Sequence, residues 1–287
     1  MMSVQAAVIA RNTFTELVRQ KIFYIILVFA LCALGSSVFM ARLTFQEEFQ
    51  MLKDVCLGAM SIFTSLLAIL ATANFLPKDL EDRTLYNLLS KPVPRFVYLL
   101  GKLAGIILLL LLFTFLMSAV FFLVLWTREQ GVLAQTRAEF RDASPEELAA
   151  ALQAVTNATF NANLVPGILI IFVKSVLLAS LTLLISTFAT SSLFTVLIAA
   201  AVYLIGHLQS TAREYWLQGM DIKWWTRIIV ALIALLFPDL QSFNLTDDVI
   251  AGAPIPTGIF LETFALGWTY AAVYFALSAL VFAGREL

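Results

Sequence analysis

The sequence predicts an all-α polytopic membrane protein: six transmembrane helices, an amino-terminal amphipathic elbow helix, and both termini on the cytoplasmic side. Three observations lead there. Hydrophobic residues make up 61% of the 287 residues and charged ones 13%, against about half and about a quarter in soluble domains. The apolar residues fall in long blocks with the charges gathered between them, the pattern of a chain whose solvent alternates between lipid and water. Lysine and arginine concentrate in alternate connecting segments, which sets an orientation.

The elements follow in chain order. In residues 3–20, Val4, Ala7, Phe14, Leu17 and Val18 share one helical arc, and Gln5, Asn12, Glu16, Arg19 and Gln20 share the other. Arg11 and Ile9 each fall on the wrong arc. Such a stripe predicts a helix lying in the membrane surface. A bilayer core of about 30 Å needs roughly 20 apolar residues in a helix. Residues 22–41, 56–75, 103–126, 166–187, 193–208 and 259–282 meet or approach that length. Residues 228–238 cover only about half of it, which suits an interfacial or re-entrant helix.

Arg11, Arg19 and Lys21 precede the first span, Lys78, Arg83, Lys91, Arg95 and Lys102 follow the second, and Arg285 follows the last. An even number of crossings puts all three groups on one side, read as cytoplasmic. Arg213, Lys223 and Arg227 run against this. The segment 127–164 is too long for a turn and is expected outside, as a helical loop. Within it Ser144, Pro145 and Glu147 have the spacing of an N-cap, N1 and N3. Leu148, Leu152 and Val155 then line one face.

Several function classes are excluded. A net charge of −1 provides no field for nucleic acid. Cys32 and Cys56 have neither metal-ligand nor disulfide-framework spacing. No phosphate-cradling loop is present: Gly101-Lys102 is followed by Leu103, and Lys102 reads as an anchor snorkelling to the cytoplasmic side. An intramembrane enzyme would need paired acids or a nucleophile with its base inside the spans, and no such set is seen. A carrier working alone would need buried acids at mid-span, and Glu262 is the only approach to one.

Individual residues stand out against this background. Lys174 interrupts the fourth apolar block. It is either a counter-charge for a transported group or the mark of a span that starts later, with the lysine snorkelling outward. His207, the one histidine, lacks a Cys, Asp or Glu at ligand spacing. Ser61, Thr64, Ser65, Ala68 and Thr72 recur at helical spacing in the second span, and Thr195 lies in the fifth. Such residues either pack against another helix or line a path. Gly101 and Gly105 form a small-xxx-small pair at a membrane edge.

The segment 77–95 carries the most specific pattern. Asp79, Glu81 and Asp82 occupy a first helical turn, where carboxylates oppose the macrodipole. Leu80, Thr84, Leu85, Leu88 and Leu89 make an apolar face, and Lys91-Pro92 ends the helix. A short amphipathic helix between two spans is either a docking element for a soluble partner or an ordinary interfacial helix.

This stretch resembles the signature of the type-2 ABC exporter permeases. The residues in question are Glu81, Thr84, Leu85, Leu88, Leu89, Pro92, Val93, Arg95, Gly101 and Lys102. Arg83 stands where that family often has glycine, and Pro94 where it often has serine. The stretch Pro238-Asp239-Leu240-Gln241-Ser242-Phe243-Asn244 is similar to one in the copper-maturation permease branch. The resemblance implies a permease paired with a second copy or a paralogue. Each permease would dock a cytoplasmic ABC ATPase subunit, and those subunits dimerise. ATP and Mg would bind that partner, with no cofactor on this chain. Coupling would fall to Glu81, Asp82, Arg83, Thr84, Leu85, Leu88, Leu89 and Arg95. Spans two and five would border the path, with Ser61, Thr64, Ser65, Thr72, Thr195 and Lys174 as candidates. The branch implies a bacterial cytoplasmic membrane.

Overall fold

The computed structural model describes residues 2–41, 48–75, 94–141, 144–189, 191–218, 225, 238–245, 249–250 and 255–284. Its helices are α1 (Met2–Arg19), α2 (Lys21–Ala41), α3 (Glu48–Ala73), α4 (Arg95–Glu139), α5 (Pro145–Thr159), α6 (Leu164–Phe188), α7 (Ser192–Gln218) and α8 (Thr257–Gly284). A 3-10 turn, Leu240–Phe243, lies between α7 and α8. Among the described residues there is no strand. Among the described residues six helices are long and apolar enough to cross a membrane: α2, α3, α4, α6, α7 and α8.

The solvent of this bundle follows from what it leaves outside. Phe39, Leu193 and Leu280 are each more than 70% exposed, and Phe115 and Phe29 more than 60%. Exposing a large apolar side chain to water forgoes about 1.5–3 kcal/mol. A wall of them is stable only where the surroundings are also apolar. The chain is a multi-pass membrane protein.

α6 is the axis. It is apolar around its whole circumference, and nearly all its residues from Gly167 to Thr187 are buried. A helix with no polar face has no side to offer to water. Here α3, α4, α7 and α8 all pack around it. α2 and α8 are as apolar in sequence but bury only one side, so lipid must cover the other.

α4 is the longest element at 45 residues, roughly 67 Å at 1.5 Å per residue. The expected span 103–126 is its apolar middle. No proline interrupts the chain from Arg95 until Pro145, so the helix continues through the first part of the segment 127–164. α5 then starts on a complete capping box. The Glu147 N–H donates to Ser144 Oγ at 3.3 Å, and the Ser144 N–H donates to the Glu147 carboxylate at 3.0 Å. The bonds that the Ser144 N–H and Oγ–H donate to the Glu147 carboxylate hold that carboxyl below its ordinary range. Leu148, Leu152 and Val155 are half-buried, on an element that packs on α4.

α1 runs alongside α4 in the same direction. Ile9 lies over Gly101 and Thr13 over Gly105, and farther on Phe23 of α2 meets Phe113 edge-on. A Cβ added at Gly105 would come within 2.8 Å of the Ala10 carbonyl oxygen. The small-xxx-small pair therefore works within the chain, letting α1 lie close against α4. The packed stripe of α1 is Ala6, Ile9, Ala10, Thr13 and Leu17. Val4, Ala7 and Val8 point away from the protein. Ile9, out of place on the sequence wheel, belongs to the protein-facing side.

Contacts distant in sequence sort the bundle into two ends. At one, Arg95 at the start of α4 bonds the last carbonyls of α8, and α1 packs on the same turns of α4. α1 and the last turn of α8 thus both pack on the first turns of α4. At the opposite end, Arg128 pairs with Glu48. There too the buried Lys53 donates to the Ala158 carbonyl of α5 at 2.7 Å.

Candidate functional site

A polar cluster lies near the middle of three helices, α3, α6 and α7, inside otherwise apolar packing. Lys174 is its centre. It is ten residues into a 25-residue helix and only 3% exposed. The reading in which it snorkels outward from a later-starting span is therefore incorrect: α6 begins at Leu164, and the ammonium stays in the bundle.

Lys174 Nζ donates to Ser61 Oγ at 3.1 Å and lies 3.1 Å from His207 Nε2. The Tyr203 ring is 5.9 Å away, within cation–π range. Tyr203 and His207 are four residues apart on α7 and so share a face. Their ring centroids are 4.4 Å apart. The Tyr203 hydroxyl is hydrogen-bonded to Ser65, which ties α7 to α3.

Geometry assigns the histidine tautomer. Nδ1 is 2.9 Å from the Tyr203 carbonyl oxygen. A carbonyl can only accept, so the proton is on Nδ1 and the Nε2 lone pair faces Lys174. The ammonium is held by two neutral acceptors. Asp239 lies near enough to act electrostatically on His207, while its Oδ1 accepts the Gln241 N–H at 3.0 Å.

The 3-10 turn closes over this region. Leu240 and Phe243 are buried, Leu240 against Gly206 of α7 and Phe243 beside Gly267 of α8. Any side chain at Gly206 would meet Leu240 and the Pro238 carbonyl. The stretch singled out by resemblance is thus a wedge set against the helix that carries His207.

The remaining candidates separate. Ser61 and Ser65 join the cluster. Thr64, Thr72 and Thr195 are buried but return their hydroxyls to their own helices, to Met60 O, Ala68 O and Ser191 O. His207 lies near the carboxy-terminal end of the candidate span Ser192–Gln209, on α7, which continues to Gln218. Arg95 is placed on the α8 terminus. Lys102 lies two turns into α4. It is buried, with Nζ 4.5 Å from the Phe75 ring centroid and 5.6 Å from that of Tyr98. Glu81, Asp82, Arg83, Thr84, Leu85, Leu88 and Leu89 lie outside the described residues, as does most of 228–238. Among the described residues no group of His, Cys, Asp and Glu could hold a metal ion.

Sequence reasoning missed Tyr203 and His207 as partners of Lys174. The available signal was a pair of polar side chains four apart inside an apolar block, since polar groups at membrane depth seek one another.

The bundle thus encloses its central helix and holds a lysine-centred polar cluster inside, an arrangement compatible with a membrane transport subunit. The family comparison agrees in kind. The model of the ABC-2 family transporter proteins matches residues 7–287, and the chain belongs to that family. A comparison with curated proteins returns no match.

Proposed function

We propose that this protein is the permease subunit of an ATP-driven exporter in a bacterial cytoplasmic membrane. The observation that carries the reading is the family match from residue 7 to residue 287, over a bundle with six helices able to span a membrane. The chain's transport role follows from the family; export, coupling and the partner are our reading.

In it, a cytoplasmic ATPase subunit binds ATP and Mg and docks on the segment 77–95, through Glu81, Asp82, Arg83, Thr84, Leu85, Leu88 and Leu89. Support comes from the sequence pattern there and from the placement of Arg95, Lys102, α1 and the last turn of α8 near the start of α4. That end is read as cytoplasmic. Two permeases, identical or paralogous, would pair to complete a path. Similarity to the copper-maturation branch rests on Pro238–Asn244 alone. No phosphate-cradling loop occurs in the chain, so ATP hydrolysis belongs to the partner.

The test is co-purification. The tagged chain, expressed with the ATPase encoded beside it, should retain that ATPase and support ATP-dependent efflux in vesicles. Neither retention nor ATP-dependent transport with any encoded ATPase would overturn the reading. So would ATP turnover that tracks the purified chain itself.

A further inference from the structure

We infer that Lys174 and Ser61 form a binding site for a single anionic head group, so that the transported class is an amphiphile carrying one carboxylate or a comparable monoanion. The inference rests on the permease reading and adds the chemistry of what the path accepts.

Three features point to an anion. First, Lys174 is buried among α3, α6 and α7 with no carboxylate among its hydrogen-bond partners in the described residues. A lysine at bilayer depth is costly, and a chain retains one where it meets a charge or a water-filled cavity. Second, the donors are not used up. An ammonium has three N–H groups. One goes to Ser61 Oγ and one faces His207 Nε2. The third finds no polar acceptor among the described residues. Ser61 uses its oxygen to accept from Lys174, and its own proton has no acceptor there. Two donors 3.1 Å apart are therefore free to meet the two oxygens of one carboxylate. Third, the site is reachable: Lys174 is enclosed, but Ser61 and His207 are only half-buried.

The arrangement also limits the ligand. Nε2 of His207 is an acceptor and Asp239 is near it, so that side repels further negative charge. One lysine then compensates one charge. The rest of the surroundings belong to the apolar core: Leu57 and Met60 flank Ser61 on α3, and Leu177 and Leu178 lie one turn from Lys174 on α6. A hydrocarbon tail suits these neighbours better than a second polar group.

The experiment uses the full chain in nanodiscs of phosphatidylcholine. The probes are dansyl-labelled undecanoate and its methyl ester, followed by fluorescence at neutral pH. Wild type should bind the acid about tenfold more tightly than the ester, the scale of one charge-assisted hydrogen bond. Lys174→Gln should erase that preference, Lys174→Arg should keep most of it, and Ser61→Ala should weaken it severalfold. Circular dichroism of each variant checks the fold. Displacement by added phosphatidylglycerol identifies a lipid-borne anion, and displacement by benzoate a water-soluble one; either supports the site. Equal affinity for acid and ester in wild type overturns it, as does an acid preference that survives in a folded Lys174→Gln. Failure here with a retained ATPase sinks only the ligand assignment. Anion binding without any ATPase partner sinks only the exporter reading.

Discussion

Arg95 and Ala283 are 188 residues apart in the chain, yet Nη1 of the first donates a 2.9 Å hydrogen bond to the carbonyl of the second. The same nitrogen reaches the Phe282 carbonyl at 3.2 Å. The last carbonyls of a helix have no partner within it, and they form the negative pole of its dipole. A guanidinium is well matched to that pole, and it joins the first turn of α4 to the last turn of α8. Arg95→Ala should lower the stability of the purified chain by about 1–2 kcal/mol. Arg95→Lys should recover part of this, since it keeps the charge and loses the fork. Thermal melting in detergent reads both; an unchanged midpoint for the alanine variant would show that the bond does not hold α8.

Gly105 should tolerate no enlargement. Gly105→Ala gains about 1 kcal/mol in helix propensity. Its Cβ would lie 2.8 Å from the Ala10 carbonyl oxygen and 2.7 Å from Thr13 Cβ. Backbone on one side leaves little room to give, and such overpacking costs about 1–3 kcal/mol. The net expectation is a destabilised α1–α4 contact, seen as faster amide exchange in α1. Gly131→Ala, with open space around it, should instead be neutral or mildly stabilising.

Lys53 anchors α5. The residue is 2% exposed, and its ammonium donates to the Ala158 carbonyl, in the last turn of α5. Lys53→Met keeps the stem volume but leaves that carbonyl unanswered, a loss of about 1–3 kcal/mol. The loss should be local. Limited proteolysis in the segment 140–164 should accelerate while the bundle melts nearly as before; equal protection in both proteins would refute the anchor.

The α5 start should respond to acid. The Glu147 carboxyl is depressed by the Ser144 backbone and hydroxyl hydrogen bonds. A carboxyl depressed in the fold contributes stability that is present above its unfolded value, about 4.3. That contribution is lost as pH falls through the folded value. Amide exchange in the first turn of α5 should therefore rise, relative to the rest of the helix, as pH drops below the ordinary glutamate range. Glu147→Gln should exchange faster throughout and show no such step; an identical pH profile in the two would remove the capping box as its cause.

Coupling can be tested in the segment 77–95. Glu81→Ala combined with Leu85→Asp should leave membrane abundance normal, weaken ATPase co-purification and abolish transport. Truncating one side of a desolvated charge pair costs about 2–5 kcal/mol, and a carboxylate pressed into an apolar groove adds to that. A double variant that keeps its partner and its transport would show that coupling lies elsewhere.

How much of this was legible in the sequence varies by element, for one physical reason. Where a feature depends on neighbours three or four positions away, the linear pattern contains it. The six apolar blocks and the Ser144–Glu147 capping box are of this kind. Helix ends were less legible, because α3, α4 and α7 extend beyond their apolar cores. Only proline, a cap or packing stops a helix; loss of hydrophobicity does not. The Gly101–Gly105 pair was visible but its partner was not, since α1 lies more than 80 positions earlier and its own wheel pointed to a different face.

The sequence by itself determined that this chain crosses a membrane, because the balance of apolar and charged residues leaves no other solvent for it, and its resemblance pointed to the family that the match over residues 7–287 shows. Only the tertiary structure decided what Lys174 does. Ser61 is 113 positions away and His207 is 33, on two other helices. Burial of an ammonium is tolerable only if acceptors converge on it from those helices, and convergence is a property of packing angles and register that no local pattern encodes. The same holds for the wedge of Leu240 and Phe243. The linear sequence names no partner for its residues; Gly206 and Gly267 open the space that receives them.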